Sequence, residues 1–107
     1  MSRISSSTDV FQAVADPTRR ALLDRLCRQD APVNELAAGF AMSRPAISKH
    51  LRVLLEAQLV TSVKKGRQQV YAVRPEKLRD MAQWIEGYRR FWTANLTSLK
   101  NHLEKTK

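Results

Sequence analysis

The feature that most constrains this chain is a change in the spacing of its apolar residues. Up to Leu59 they recur at steps of three and four, as on amphipathic helices; from Val60 to Val73 they alternate; after Pro75 the helical steps return. That order predicts a mainly α fold with one small β-hairpin. Val60, Ser62 and Lys64 alternate with Thr61, Val63 and Lys65, Gly66 supplies a turn, and Gln68 to Val73 returns through Val70-Tyr71-Ala72-Val73. The hairpin tip, Lys64-Lys65-Gly66-Arg67, is basic.

The helices follow from local signals. The first is predicted to begin at Thr8 or Asp9, with an apolar stripe of Val10, Phe11, Val14 and Ala15. Asp16-Pro17 restarts the chain, because Asp16 can cap an orphan N–H and Pro17 fits the first helical position, where no N–H is needed. A second helix runs to about Arg28, with Ala21, Leu22, Leu23, Leu26 and Cys27 as its apolar set. Ala31-Pro32 reads as a break. Val33 to Phe40 reads as a short third helix with Val33, Leu36, Ala37 and Phe40 inward. Ser43 is a plausible cap for a fourth helix to Ala57, with Ala46 or Ile47, Leu51, Leu54 and Leu55 inward; Pro45 is tolerated in its first turn.

The last helix is predicted from Pro75 to about Leu103. Leu78, Met81, Ile85, Tyr88, Trp92, Leu96, Leu99 and Leu103 form one seam of coiled-coil character. At ~1.5 Å per residue such a helix is roughly 40 Å long, more than one small domain covers. Trp84 and Phe91 widen the strip, which calls for a partner. Trp84, Tyr88, Phe91 and Trp92 are read as interface core in preference to an effector pocket, and Arg89-Arg90 as a solvated face.

With 107 residues the chain is one domain. The expected division is a flexible N-terminus over 1–7, which includes Ser5-Ser6-Ser7, and a domain over 8–107 whose C-terminal helix, about 75–103, dimerises. A net charge of +9 and a pI of about 10.5 narrow the partners to something acidic. A membrane is the weaker reading, since no apolar run approaches ~18 residues. Met1 to Thr8 has no apolar core of a signal peptide. The single cysteine, Cys27, cannot form an internal disulfide, so a reducing cytoplasm is expected. Cys27 itself is read as a buried, inert hydrophobe in preference to a redox switch.

Two short helices, a turn, a third helix and a basic hairpin make a winged helix-turn-helix, in the order α-α-α-α-β-β-α. From Ser43 to Arg67 the basic side chains are Arg44, Lys49, Arg52, Lys64, Lys65 and Arg67, against one acid, Glu56. Ser43, Arg44, Pro45, Ala46, Ser48 and Lys49 occupy the N-terminal half of the fourth helix, the part that meets base edges in helix-turn-helix docking. Arginine can grip guanine there, and serine can pair with several base edges. Lys64, Lys65 and Arg67 suit phosphate or minor-groove contact. His50 is left with two readings: a DNA contact, or a half-buried helix residue bonded to backbone.

Asp16-Pro17-Thr18-Arg19-Arg20-Ala21-Leu22-Leu23 resembles the opening of ArsR-type bacterial repressors. Ser43 to Leu54 is similar to their recognition helix, and Leu59-Val60, Gly66-Arg67 and Val70-Tyr71 to their wing. The resemblance covers about Phe11 to Leu99. It implies double-stranded operator DNA as partner, and a homodimer whose first and last helices form the interface, which sets Phe11 beside the seam. It also implies repression relieved by a signal, from a small-molecule or protein effector. Two glycines usual in the family are absent: Ala41 and Gln58 stand where the family tends to have them, and a non-glycine residue at positive φ costs about 1 kcal/mol. Both turns are therefore places where the backbone is expected to rearrange. Relatives that sense metals use a Cys-x-Cys pair on the third helix or Asp and His ligands on the last. Here Val33-Asn34-Glu35-Leu36 has no cysteine, and Asp80, His102 and Glu104 lack the close spacing of a four-coordinate site. The chain resembles the metal-free branch, with no metal and no cofactor expected.

An enzyme is not expected. Ser48 and His50, two apart on a helix, point to different faces, and no acid is placed to complete a triad. Two alternatives to the operator-binding repressor remain: a winged-helix protein–protein adaptor, which predicts an acidic or apolar recognition face, and a nucleoid-type DNA-binding protein without sequence preference.

Overall fold

A computed structural model describes residues 9–105. The element order is α1 (Val10–Ala13), α2 (Pro17–Arg28), β1 (Ala31–Pro32), α3 (Val33–Phe40), α4 (Arg44–Glu56), β2 (Val60–Lys65), β3 (Gln68–Val73), α5 (Pro75–Glu86) and α6 (Arg89–Lys105). The expected flexible segment 1–7 and a helix start at Thr8 lie outside the described residues.

The caps predicted at Asp16 and Ser43 form, and Asp9 caps α1 in the same way. Asp9 Oδ1 accepts from Gln12 N at 2.9 Å, Asp16 Oδ2 from Arg19 N at 3.0 Å, and Ser43 Oγ from Ala46 N at 3.2 Å. Each satisfies a donor that the helix start leaves without a partner. The core is Leu22, Leu23 and Leu26 of α2, Leu36 and Ala37 of α3, Ile47, Leu51 and Leu54 of α4, with Ala13, Ala31, Ala57, Leu59 and Val60. Val14 is half-buried at its edge, whereas Phe11 and Ala15 of the predicted stripe are exposed.

The wing pairs Val60 with Val73 through to Lys65 with Gln68, leaving Gly66-Arg67 as a two-residue loop. Gly66 has φ 64, the left-handed value that such a loop asks of its first central residue. Arg74 N donates to Leu59 O at 2.8 Å and closes the base of the hairpin.

Four expectations are corrected. Ala31-Pro32 is more than a break: Ala31 pairs with Tyr71 and Pro32 with Val70, so the hairpin becomes a three-stranded antiparallel sheet of order β1-β3-β2. Proline is admissible there because β1 is an edge strand. The last helix is not continuous. At Gly87 and Tyr88 the bonding passes from i−4 to i−3: Gly87 N is shared between Gln83 O at 3.1 Å and Trp84 O at 3.2 Å, Tyr88 N bonds Ile85 O at 2.9 Å, and α6 begins beyond. Glycine is a weak helix former, which locates the interruption. Cys27 is exposed, not buried.

The fourth correction concerns the two turns. Ala41 has φ 53 and Gln58 φ 62. Past α3, Met42 N bonds Ala37 O and Ala41 N bonds Ala38 O; past α4, Leu59 N bonds Leu54 O and Gln58 N bonds Leu55 O. Both are Schellman-type ends, which require a left-handed residue. The turns keep that geometry without glycine and bear the steric cost.

Candidate nucleic-acid interface

Helix α4 presents two faces. Ile47, Leu51 and Leu54 are buried, while Ser43, Arg44, Pro45, Ser48, Lys49 and Arg52 are exposed; Ala46 is half-buried between them. Arg44, Ser48 and Arg52 follow at steps of four, and Lys49 adjoins Arg52 at a step of three, so hydroxyl and cations share one surface. Lys64, Lys65 and Arg67 of the wing are exposed as well.

The basic groups fall into two sets. Arg67 lines a cleft of about 250 Å³ with Arg44 and Ser48 of α4, Asn34 of α3, and Gln69 and Tyr71 of β3. Lys64 and Lys65, on β2, are not among its lining residues. Gln69 is held there by donating its amide to Ser62 Oγ at 2.9 Å. Asn34, Gln69 and Tyr71 were missed in the sequence reading. The strand period was a usable signal for two of them, since Gln69 and Tyr71 are two apart on β3 and lie on one side; Arg67 and Gln68 reach the same cleft from the turn end of the hairpin.

His50 sits elsewhere. It is half-buried, with Nδ1 at 3.3 Å from Arg19 Nη1 and 3.8 Å from Asp16 Oδ2. Its neighbours are side chains of the α1–α2 elbow, not the backbone groups expected. Arg19 Nε donates to Ala13 O at 2.8 Å, and Arg20 Nη1 to Val14 O at 2.7 Å. The two arginines of the Asp16–Arg20 stretch therefore satisfy carbonyls at the end of α1 and brace it against α2. The backbone N–H of Arg19 holds the Asp16 carboxyl below the usual carboxylate range; the charges of His50 and Arg19 add to this, and partial desolvation opposes it.

The proposed interface residues also divide. Leu78 and Met81 are half-buried against the core. Ile85, Tyr88, Trp92, Leu96, Leu99 and Leu103 stand 46–65% exposed. Trp84 bridges two aromatic rings, with centroids 5.0 Å from Phe11 and 4.9 Å from Tyr88. The groove bounded by Trp84, Ile85, Tyr88, Trp92 and Leu96 measures about 500 Å³. Among the described residues no group of three or more His, Cys, Asp or Glu side chains could hold a metal ion, and no helix is long and apolar enough to cross a membrane.

This arrangement has relatives. The bacterial regulatory protein, arsR family, matches residues 16–62, from the cap of α2 into the wing. The HTH-type transcriptional regulator Rv2034 of Mycobacterium tuberculosis is 41% identical over 97 residues, 91% of this chain and 88% of that protein. The chain belongs to the ArsR family. Two further comparisons are in keeping with this. The transcriptional repressor SdpR of Bacillus subtilis is 36% identical over 80 residues, covering 75% of this chain and 89% of SdpR. The solved structure of an ArsR-like transcriptional regulator from Rhodococcus sp. RHA1 superposes with a TM-score of 0.68 at 37% identity, over 86% of this chain and 87% of that one. The ArsR-family winged helix-turn-helix is thus the fold on which the cationic face of α4 and the wing are mounted.

Proposed function

We propose that this ArsR-family chain is a cytoplasmic repressor that reads an inverted-repeat operator as a homodimer and is released by a small-molecule or protein signal. The observation that carries the DNA reading is the exposed surface of Ser43, Arg44, Pro45, Ser48, Lys49 and Arg52 on α4, continued by Lys64, Lys65 and Arg67 on the wing. The first turns of α4 enter the major groove, and the wing follows the adjacent backbone. His50 acts as a brace between α4 and the α1–α2 elbow, outside the DNA contact.

The homodimer rests on the seam. Seven large apolar residues from Ile85 to Leu103, Phe91 included, are about half exposed or more. The radius of gyration is 18.5 Å, against about 13 Å for a compact domain of 100 residues. A second copy of the same seam is the occupant that covers a long apolar strip symmetrically. The two recognition helices then address half-sites about one helical turn, or a small multiple, apart.

Gel-shift titration with DNA flanking the gene, against an excess of random competitor, tests the reading. A repressor retains its shifted band under competitor. A nucleoid-type protein loses it in proportion to competitor, and an adaptor gives no band; either result refutes the proposal.

A further inference from the structure

The cleft between α3, α4 and β3 differs in chemistry from the cleft on the other side of α3. That second cleft, between α2 and α3, carries Asp24 and Glu35 with Arg25 and Arg28, and Arg25 is paired with Glu35. The first is lined by Arg44 and Arg67 and by no carboxylate. Among the described residues neither arginine pairs with an acid. Two guanidinium groups from different parts of the chain therefore line one concavity that has no carboxylate in its lining, alongside the neutral donors of Asn34, Ser48 and Tyr71. Such a site favours a small anion with several acceptor oxygens, and the arginine fork matches phosphate geometry.

We propose that this cleft holds one phosphodiester of the DNA backbone, clamped between Arg44 and Arg67. The proposal rests on the DNA reading above and changes two roles within it: Arg44 grips backbone with Ser48 beside it in the cleft, and base reading falls to the exposed Lys49 outside it. A phosphate at the rim of the groove can enter a recess between wing and helix. A base edge in a paired duplex cannot, because it lies on the groove floor and must be met by a protruding side chain. The clamp also joins recognition helix to wing through a shared anion, so that each fixes the register of the other.

The test uses a duplex selected by this protein from a randomised pool, and a scrambled duplex of the same composition. Arg44→Ala and Arg67→Ala, both at exposed positions and checked for native circular dichroism, are each expected to weaken both duplexes by a similar factor of about ten. Because the salt slope follows phosphates neutralised, the double variant should flatten it by about 0.9 per half-site, as each single variant does. Replacing one phosphate per half-site by a neutral methylphosphonate should weaken the wild type and leave Arg44→Ala unchanged. Loss confined to the selected duplex would make Arg44 a base reader and overturn the clamp, as would a double variant that loses about 1.8 in slope per half-site, which signals two separate phosphates in each. Failure of the wild type to prefer the selected duplex would instead remove the operator reading on which the clamp depends.

Discussion

Residues 9–73 and residues 75–105 carry apolar residues at regular spacing, yet only the first segment buries them. Leu22, Leu36, Ile47, Leu51, Leu54, Leu59 and Val60 are almost wholly enclosed, whereas neither α5 nor α6 contains a buried residue. Periodicity records that a face is covered, not what covers it. In the first segment the cover is the chain itself: α2, α3, α4 and the base of the sheet close on one another. In the second, only Leu78 and Met81 find cover within the chain, and from Ile85 onward the same spacing faces outward. The difference sets a part whose apolar face the chain itself covers against a part whose apolar face the chain leaves open, the face that the proposed dimer would cover.

The sharpest way to break that comparison is to charge the outward seam. Ile85→Glu with Trp92→Glu should leave the native circular dichroism and yield monomers in analytical ultracentrifugation. Each copy loses two large apolar anchors, so dimer affinity should fall by at least about a thousandfold. Persistence of the dimer would mean that α1 or another surface holds it. The inner half responds differently. Leu51 is fully enclosed, and Leu51→Ala should cost about 2–5 kcal/mol of unfolding free energy, through lost burial and the cavity left behind. Urea titration of the monomeric seam variant, with and without Leu51→Ala, should show that cost undiminished. If the cost appears only in the dimer, the inner core is not self-sufficient.

Legibility in the sequence follows the same division. Where a local interaction decides the structure, residues announced it: Asp16, Pro17 and Ser43 mark helix starts, and Gly66 marks the tip of the wing. Where a long-range or angular relation decides, they did not. β1 is two residues long and exists only because β3 passes beside it, pairing Ala31 with Tyr71. Cys27 sits among leucines in the chain, but at 3.6 residues per turn it lies roughly 40° beyond Leu23 and away from Leu22, which carries it past the buried stripe. The break at Gly87 was hidden because an i−3 turn preserves the step of three, so the seam reads continuously across it. In the candidate interface, the cations were legible from composition along α4 and the hairpin. Their sorting was not: the grouping of Arg67 with Arg44, and of His50 with Asp16 and Arg19, depends on how α4 lies against its neighbours.

A smaller effect lies at the elbow that joins the first segment's α1 to α2. The folded Asp16 carboxyl titrates below its usual range. It therefore adds stability above the ordinary carboxylate range, and that contribution disappears as pH falls through the lowered value. Asp16→Asn keeps a good helix cap but removes the charge. The variant should be less stable than wild type at neutral pH, and the gap should close on acidification, as read from urea midpoints across the acid range. A gap independent of pH would assign the role of Asp16 to its cap geometry alone.

The smallest expected change concerns the two turns that flank the enclosed core, past α3 and α4. Ala41 and Gln58 hold left-handed φ values of 53 and 62, and both are exposed. An L-residue there costs roughly 1–2 kcal/mol, from the approach of Cβ to the following carbonyl. Glycine removes that clash but gives the unfolded chain more freedom, which takes back about 0.4–1 kcal/mol. Gln58→Gly and Ala41→Gly should therefore each stabilise by up to about 1 kcal/mol, raising Tm by a few degrees. Because both turns belong to the inner half, the gain should be the same in the wild-type dimer and in the Ile85→Glu, Trp92→Glu monomer, and the two should add, being independent sites. A fall in Tm with glycine would mean that the side chains at these turns contribute more than their strain costs. A gain seen only in the dimer would mean that assembly reaches the recognition helix, and the division between the two halves would no longer hold.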